Sequence, residues 1–250
     1  MTGAGVEAAF ERARRFAAAA SDGDAFERAR LAAALGDAPR AALVAALPAP
    51  DSLPAALRAL AALAEARALD APEAEAAVSA LERRQDADGA WSAEGGDENA
   101  ALVVTGLAAG LLARTSFART GPLQRAGRWL AARWGPERVQ DGDFGRLAAW
   151  AGWLANANPA IADAGLQWCG REWERAFRTG RLDAARAARV LVVADAPTLP
   201  GARVAPSEIA LSLLAAQATD GGWPTAGAGS RVAATADALV ALRHLARFVR

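Results

Sequence analysis

Two seven-residue stretches, "QDADGAW" (Gln85 to Trp91) and "QATDGGW" (Gln217 to Trp223), write one pattern, Gln-x-x-Asp-Gly-x-Trp, at an offset of 132 residues. Each stands between two segments of helical character. Upstream of the first copy, Ala74, Ala77, Val78 and Leu81 recur at i, i+3, i+4 and i+7, the spacing that lines one face of a helix. Downstream runs the more uniformly apolar "ENAALVVTGLAAGLLA" (Glu98 to Ala113), which reads as a helix buried on all sides. A chain that repeats amphipathic helix, Asp-Gly break and apolar helix has to stack or close these pairs, because no single pair buries its own apolar face.

The alternation runs through the whole chain. Pro39, Pro72, Pro122, Pro159 and Pro206 stand just before or inside the start of a helical stretch, where a missing N–H costs nothing. The predicted pairs are 5–20 with 23–35, 38–47 with 53–68, 72–85 with 97–113, 120–134 with 143–156, 160–178 with 182–194, and 206–217 with 231–249. Strand signals are almost absent, so the expectation is an all-α chain forming one domain over residues 1–250. Its two clear repeats lie near 75–113 and 207–245. Six pairs can close into a double ring with the apolar helices inside; an open superhelix is the alternative.

Composition removes several chemistries. All 28 basic residues are Arg, balanced by 28 acids, so no basic face points to a nucleic-acid partner. With neither Lys nor Tyr, there is no Lys Schiff base and no Tyr general acid. One Cys and one His, Cys169 and His244, give no disulfide, and two ligands at this spacing do not make a zinc site. A lone His in "ALRHLARFVR" reads as a surface or interface residue, and no metal is expected. The opening "MTGAGVEAAFERARRF" places Glu7, Glu11 and several Arg where a leader would be apolar, and Ala100 to Ala113 is too short to span a bilayer. A cytoplasmic location is expected, with room for peripheral contact at the inner membrane.

The two phrases, each with a Leu four residues ahead of its Gln (Leu81 and Leu213), resemble the QW repeat of squalene–hopene and oxidosqualene cyclases. They are also similar to the repeats of protein prenyltransferase β subunits. "VQDGDFGRLAAWAGWLA" is a weaker relative, with Phe144 in place of Trp. The resemblance implies an (α/α)6 toroid, a hydrophobic isoprenoid as ligand and no cofactor. It also implies that Gln85, Trp91, Gln217 and Trp223 are structural, the Gln bonding backbone groups at helix ends and the Trp packing beside it.

Candidate chemistry lies at the starts of the apolar helices. The cyclases' Asp-x-Asp-Asp proton donor does not occur here; the nearest counterpart is Asp97-Glu98-Asn99-Ala100, with Gly95 in the place of the first acid. An acid that protonates an alkene must be held neutral in a dry site. Asp97 and Glu98, with Asp143 at a second helix start, are the catalytic candidates. The competing reading is that they cap helices and complement the helix dipole. Asp51, Asp143 and Asp183 repeat the position and carry two readings as a group, a Mg2+–diphosphate rim or ordinary caps. The metal signature Asp-Asp-x-x-Asp is absent.

Six of the eight Trp fall between Trp129 and Trp173. Trp150 and Trp153, at i and i+3, share one helix face and with Phe144 are the candidates for lining a substrate cavity, where electron-rich rings stabilise carbocations. Three functions follow as expectations. One is an acid-initiated terpenoid cyclase or isomerase; the second is a non-catalytic toroid that binds an isoprenoid or a protein; the third is one subunit of a two-component enzyme.

Overall fold

In the computed structural model, which describes residues 3–92, 95–225 and 229–248, the chain is all-α. The described residues form twelve α-helices: α1 (Gly3–Ala19), α2 (Ala25–Leu35), α3 (Arg40–Ala45), α4 (Leu53–Glu65), α5 (Pro72–Arg83) and α6 (Glu98–Leu112), then α7 (Thr120–Ala131), α8 (Phe144–Ala157), α9 (Ala162–Arg178), α10 (Ala184–Ala194), α11 (Pro206–Ala215) and α12 (Arg231–Ala246). These twelve helices stand in the chain where the six expected pairs place them, but the dominant packing joins non-consecutive helices, α6 with α8 and α2 with α12. No helix among the described residues is long and apolar enough to cross a membrane.

Local chemistry sets the helix starts. Asp24 and Glu27 form a reciprocal capping box on α2, at 2.7 and 3.1 Å. Ser52 Oγ accepts the Ala55 N–H and Ser230 Oγ the Ala233 N–H, satisfying donors that the first turns of α4 and α12 leave open. Pro72 and Pro206 occupy the first position of α5 and α11. The apolar character of the second helices is uneven. α6 and α8 carry almost no polar side chain past their first turn, whereas α10 and α12 carry Arg186, Arg189, Asp237 and Arg243.

The chain divides into two compact units. One comprises Met1–Leu47, Ala184–Arg189 and Val204–Arg250; the other comprises Pro48–Asp183 and Val190–Arg203. In the larger unit α6 packs along α8, and glycines permit backbone contact between them. A Cβ on Gly106 would lie 2.8 Å from the Ala149 Cβ, and one on Gly110 would lie 2.8 Å from the Gly152 carbonyl carbon. α4 packs on α5 and α6, α7 on α6, and α9 on α8. In the smaller unit α2 packs on α12, and α1 touches α2, α11 and α12.

Each unit holds one copy of the repeated phrase, and the two copies make the same bonds. Trp91 is wholly buried after α5; its indole N–H donates to the Leu81 carbonyl (2.7 Å) and its backbone N–H to Thr105 Oγ1 on α6 (2.9 Å). Trp223 repeats this with the Leu213 carbonyl (2.8 Å) and Thr235 Oγ1 on α12 (3.0 Å). The tryptophan therefore ties the end of one helix through its indole N–H to the flank of the next through its backbone N–H, while its ring fills the space between them.

The glutamine grips a third helix. Gln85 Nε2 donates to the Gly89 carbonyl (3.0 Å) and to the Pro122 carbonyl on α7 (2.9 Å), and its Oε1 accepts from Arg125 Nη2 (2.5 Å). Gln217 Nε2 donates to the Gly221 carbonyl (2.8 Å) and to the Ala9 carbonyl on α1 (2.9 Å), and its Oε1 accepts from Arg12 Nε (2.9 Å). Gly89 and Gly221 have φ of 101° and 94°, and a Cβ there would lie 2.6 and 2.1 Å from the carbonyl oxygens of Arg125 and Arg12. Only glycine satisfies both the left-handed backbone and the close approach.

Candidate functional site

The sequence candidates lie in the larger unit, at the starts of α6 and α8. Asp97 is the cap of α6: its Oδ1 accepts the Ala100 N–H at 2.8 Å, and the residue is exposed. Asp143 does the same for α8, accepting the Arg146 N–H at 2.8 Å, with Arg146 Nε a further 3.5 Å away. Glu98 turns to the segment after α7, where Arg133 Nε is 3.3 Å and Arg138 Nη2 3.9 Å from its Oε1. All three acids are exposed. The dry surroundings that alkene protonation requires are not built around them in this unit. Of the two further acids, Asp51 directly precedes the Ser52 cap and lends its carbonyl to Arg84, and Asp183 directly precedes α10.

A stripe on α7 and the loop after it connects these acids to the first latch. Pro122 and Arg125 meet Gln85; one turn on, Trp129 Nε1 donates to Asp88 Oδ2 (3.0 Å); the Arg133 guanidinium stacks 4.0 Å from the Trp129 ring and reaches Glu98. Asp88 also holds the Ala90 N–H at 3.1 Å, which fixes the turn. The spacing from 122 through 125 and 129 to 133 follows the helical period, so one face joins the Asp-Gly turn to the start of α6.

The aromatic candidates pack between helices. Trp150 and Trp153 are buried almost completely; Trp150 meets the half-buried Trp134 edge-on at 4.9 Å and Trp153 at 5.7 Å. Trp150 Nε1 has no hydrogen-bond acceptor among the described residues. Gly165 on α9 admits Trp134 and Leu154, at 3.4 and 2.8 Å from where its Cβ would be. This is an arrangement that fills space between α8, α9 and the loop after α7. Phe144 is the first residue of α8 and is half-buried.

A surface that the motifs did not single out lies on α6 itself. Val104, Leu107 and Leu111 are half-buried at i, i+3 and i+7, in a helix whose one polar residue beyond its first turn, Thr105, is committed to Trp91. Along this helix the partly solvated face is therefore apolar from Val103 to Leu111. Its signal was the uniform hydrophobicity of the segment, which reads as complete burial.

Cys169 is buried, and burial pushes its thiol up to about 12, which makes it inert as a nucleophile at neutral pH. His244, expected at the surface or an interface, is buried in α12 against Phe248, with Nδ1 3.3 Å from Arg247 Nη1; the face of α12 it occupies is a packed one. The described residues contain no group of three His, Cys, Asp or Glu placed to hold a metal ion.

Sequence reasoning missed the partners of the latches. Thr105 and Thr235 stand 14 and 12 residues after their Trp, so an alignment of the two copies without gaps does not superpose them. Arg125 and Arg12 escape for another reason: one follows its glutamine in the chain and the other precedes it. No family model, no curated protein and no solved structure matches this chain.

Proposed function

We propose that this chain is an α/α-toroid protein of the terpenoid cyclase and prenyltransferase kind that binds a hydrophobic isoprenoid on the open face of α6 without protonating it. The supporting observation is the apolar stripe Val104, Leu107 and Leu111, partly solvated and free of polar side chains. Partly solvated apolar side chains lying together along one helix face are what a hydrophobic ligand would cover. The resemblance of the two latches to QW repeats supplies the ligand class and the closed double ring of helices. The acids at the helix starts serve as caps and ion-pair partners, which supports binding over acid catalysis.

Acid-initiated cyclisation is the second reading, favoured by the position of Asp97 and Glu98 at the head of the same helix that carries the stripe. One experiment separates the two. The purified protein is incubated with squalene and with C15–C20 prenyl diphosphates; binding is followed by tryptophan fluorescence and products by mass spectrometry. The expected result is saturable binding, weakened at least tenfold by Leu107→Asp, with no cyclised product. Turnover that disappears in Asp97→Asn would transfer the assignment to the cyclase reading. Absence of binding to every one of these compounds would overturn the ligand class.

A further inference from the structure

Asp followed by Gly occurs four times in the chain, at Asp22–Gly23, Asp88–Gly89, Asp141–Gly142 and Asp220–Gly221. Such a step can rearrange: the glycine amide nitrogen attacks the aspartyl Cγ and closes a five-membered imide, and glycine has no Cβ to obstruct the approach. In three of the four steps the turn itself occupies the attacking N–H. Gly89 donates it to the Asp86 carbonyl (3.0 Å), Gly142 to the Val139 carbonyl (3.0 Å) and Gly221 to the Ala218 carbonyl (2.9 Å). Their carboxylates are tied as well. Asp88 takes the Ala90 N–H and Trp129 Nε1, Asp141 the Asp143 N–H and Arg146, and Asp220 the Gly222 N–H and both Nη atoms of Arg231.

Asp22–Gly23, in the connection between α1 and α2, is built differently. The Gly23 N–H has no acceptor among the described residues, so water solvates it. Asp22 is exposed, and its Oδ2 accepts the backbone N–H of Arg231, at the start of α12, at 2.7 Å. With the carboxyl proton on Oδ1, Oδ2 is the carbonyl oxygen, and the Arg231 N–H stands where negative charge gathers when Cγ is attacked. Gly23 has a φ of 84° and packs on α12, where a Cβ would lie 2.9 Å from the Val232 Cβ; its carbonyl accepts Arg28 Nη1 at 2.6 Å.

We propose that Asp22 is a site of spontaneous covalent modification, rearranging to isoaspartate through an imide formed with Gly23. The Gly23 nitrogen gives up its proton to water and forms the N–Cγ bond, while the Cγ–OH bond breaks; the proton and the hydroxide together amount to one water lost. A second water then adds to one of the two ring carbonyls and breaks its bond to nitrogen, so the mass returns to its starting value. Opening at Cγ restores aspartate. Opening at the former main-chain carbonyl leaves isoaspartate, with one more carbon in the backbone. That carbon lengthens a connection seated against Val232 and repositions the carboxylate that holds the Arg231 N–H.

The test uses the full chain, held folded at neutral pH in water enriched in oxygen-18. Each ring opening places one heavy oxygen on the aspartate or isoaspartate, and fragmentation of proteolytic peptides locates it. Label is expected at Asp22 at least tenfold faster than at Asp88, Asp141 or Asp220. In the chain unfolded by guanidinium the four steps are expected to label at similar rates, since the fold is what distinguishes them. Folded protein in which Asp22 labels no faster than the other three overturns the proposal, as does folded protein that labels at none of them. Asp22→Glu keeps a carboxylate for the Arg231 N–H, but its imide would need a six-membered ring, and no label is expected at that position. Heavy oxygen there would show exchange by a route other than the imide and would also overturn the proposal.

Discussion

Replacing Thr105 or Thr235 by Val tests whether the two latches are equivalent. Both threonines are wholly buried, and each Oγ1 accepts the backbone N–H of a buried tryptophan, at 2.9 and 3.0 Å. Valine keeps the branched shape but removes the acceptor, leaving a buried N–H with nothing to bond. That costs roughly 1–3 kcal/mol per site, the desolvation of an unsatisfied donor. For a chain of this size each kcal/mol lowers the melting temperature by about 2–4 °C, so each variant should melt about 2–12 °C lower. The latches share no residue, so the double variant should lose close to the sum of the two. Guanidinium denaturation followed by circular dichroism gives the stabilities, and hydrogen exchange reports the Trp91 and Trp223 amides directly. A Thr105→Val or Thr235→Val protein as stable as the parent would refute the reasoning, as would amide protection unchanged at both tryptophans.

Gly89→Ala and Gly221→Ala each force a side chain onto a left-handed backbone and against a carbonyl oxygen, and should each destabilise by about 1–3 kcal/mol or more in the same denaturation assay. Asp97→Ala should cost about 0.5–2 kcal/mol as a lost helix cap, whereas Asp97→Asn should cost much less because Asn caps equally well; equal losses would indicate another role. The hydrogen bonds of Arg231, and then of the Gly222 N–H, hold the Asp220 carboxyl at about 2, below its ordinary 3.8. A carboxyl lowered in the folded state stabilises fully above its unfolded value and loses that contribution as pH falls through the folded one. Stability should therefore drop less between pH 4 and pH 2 in Asp220→Asn than in the parent, as acid titration of the melting temperature would measure. Cys169, buried and raised to about 12, should resist a thiol reagent at pH 8 until the chain unfolds; rapid native labelling would contradict that burial.

The helices, their order and most of their ends were legible in the sequence, because the signals are local. Apolar period, proline at a first turn and Asp or Ser at a cap act within a few residues of where they stand. The repeated phrase was legible too, since Gln85 and Gln217, Trp91 and Trp223 occupy equivalent places in two copies of one motif. The choice between the two readings of Asp97 and Asp143 was not, because a cap and a catalytic acid have the same local sequence and differ only in what surrounds them. The structure surrounds these two with solvent and the first-turn N–H groups.

Periodicity likewise put Trp150 and Trp153 on one helix face without saying what that face would meet. Trp134 and the neighbouring helices meet it, so the two indoles sit in the core. The same limit hid the burial of His244 and the half-open stripe on α6, since a helical repeat fixes which residues share a face but not the degree to which a neighbour covers it. The sequence by itself determined that this chain makes a succession of twelve helices and writes one clasp motif twice. Only the tertiary structure decided that one clasp closes on α7 and the other on α1, because hydrogen bonds between residues 37 and 208 apart in sequence depend on the path of the intervening chain and leave no periodic trace in it.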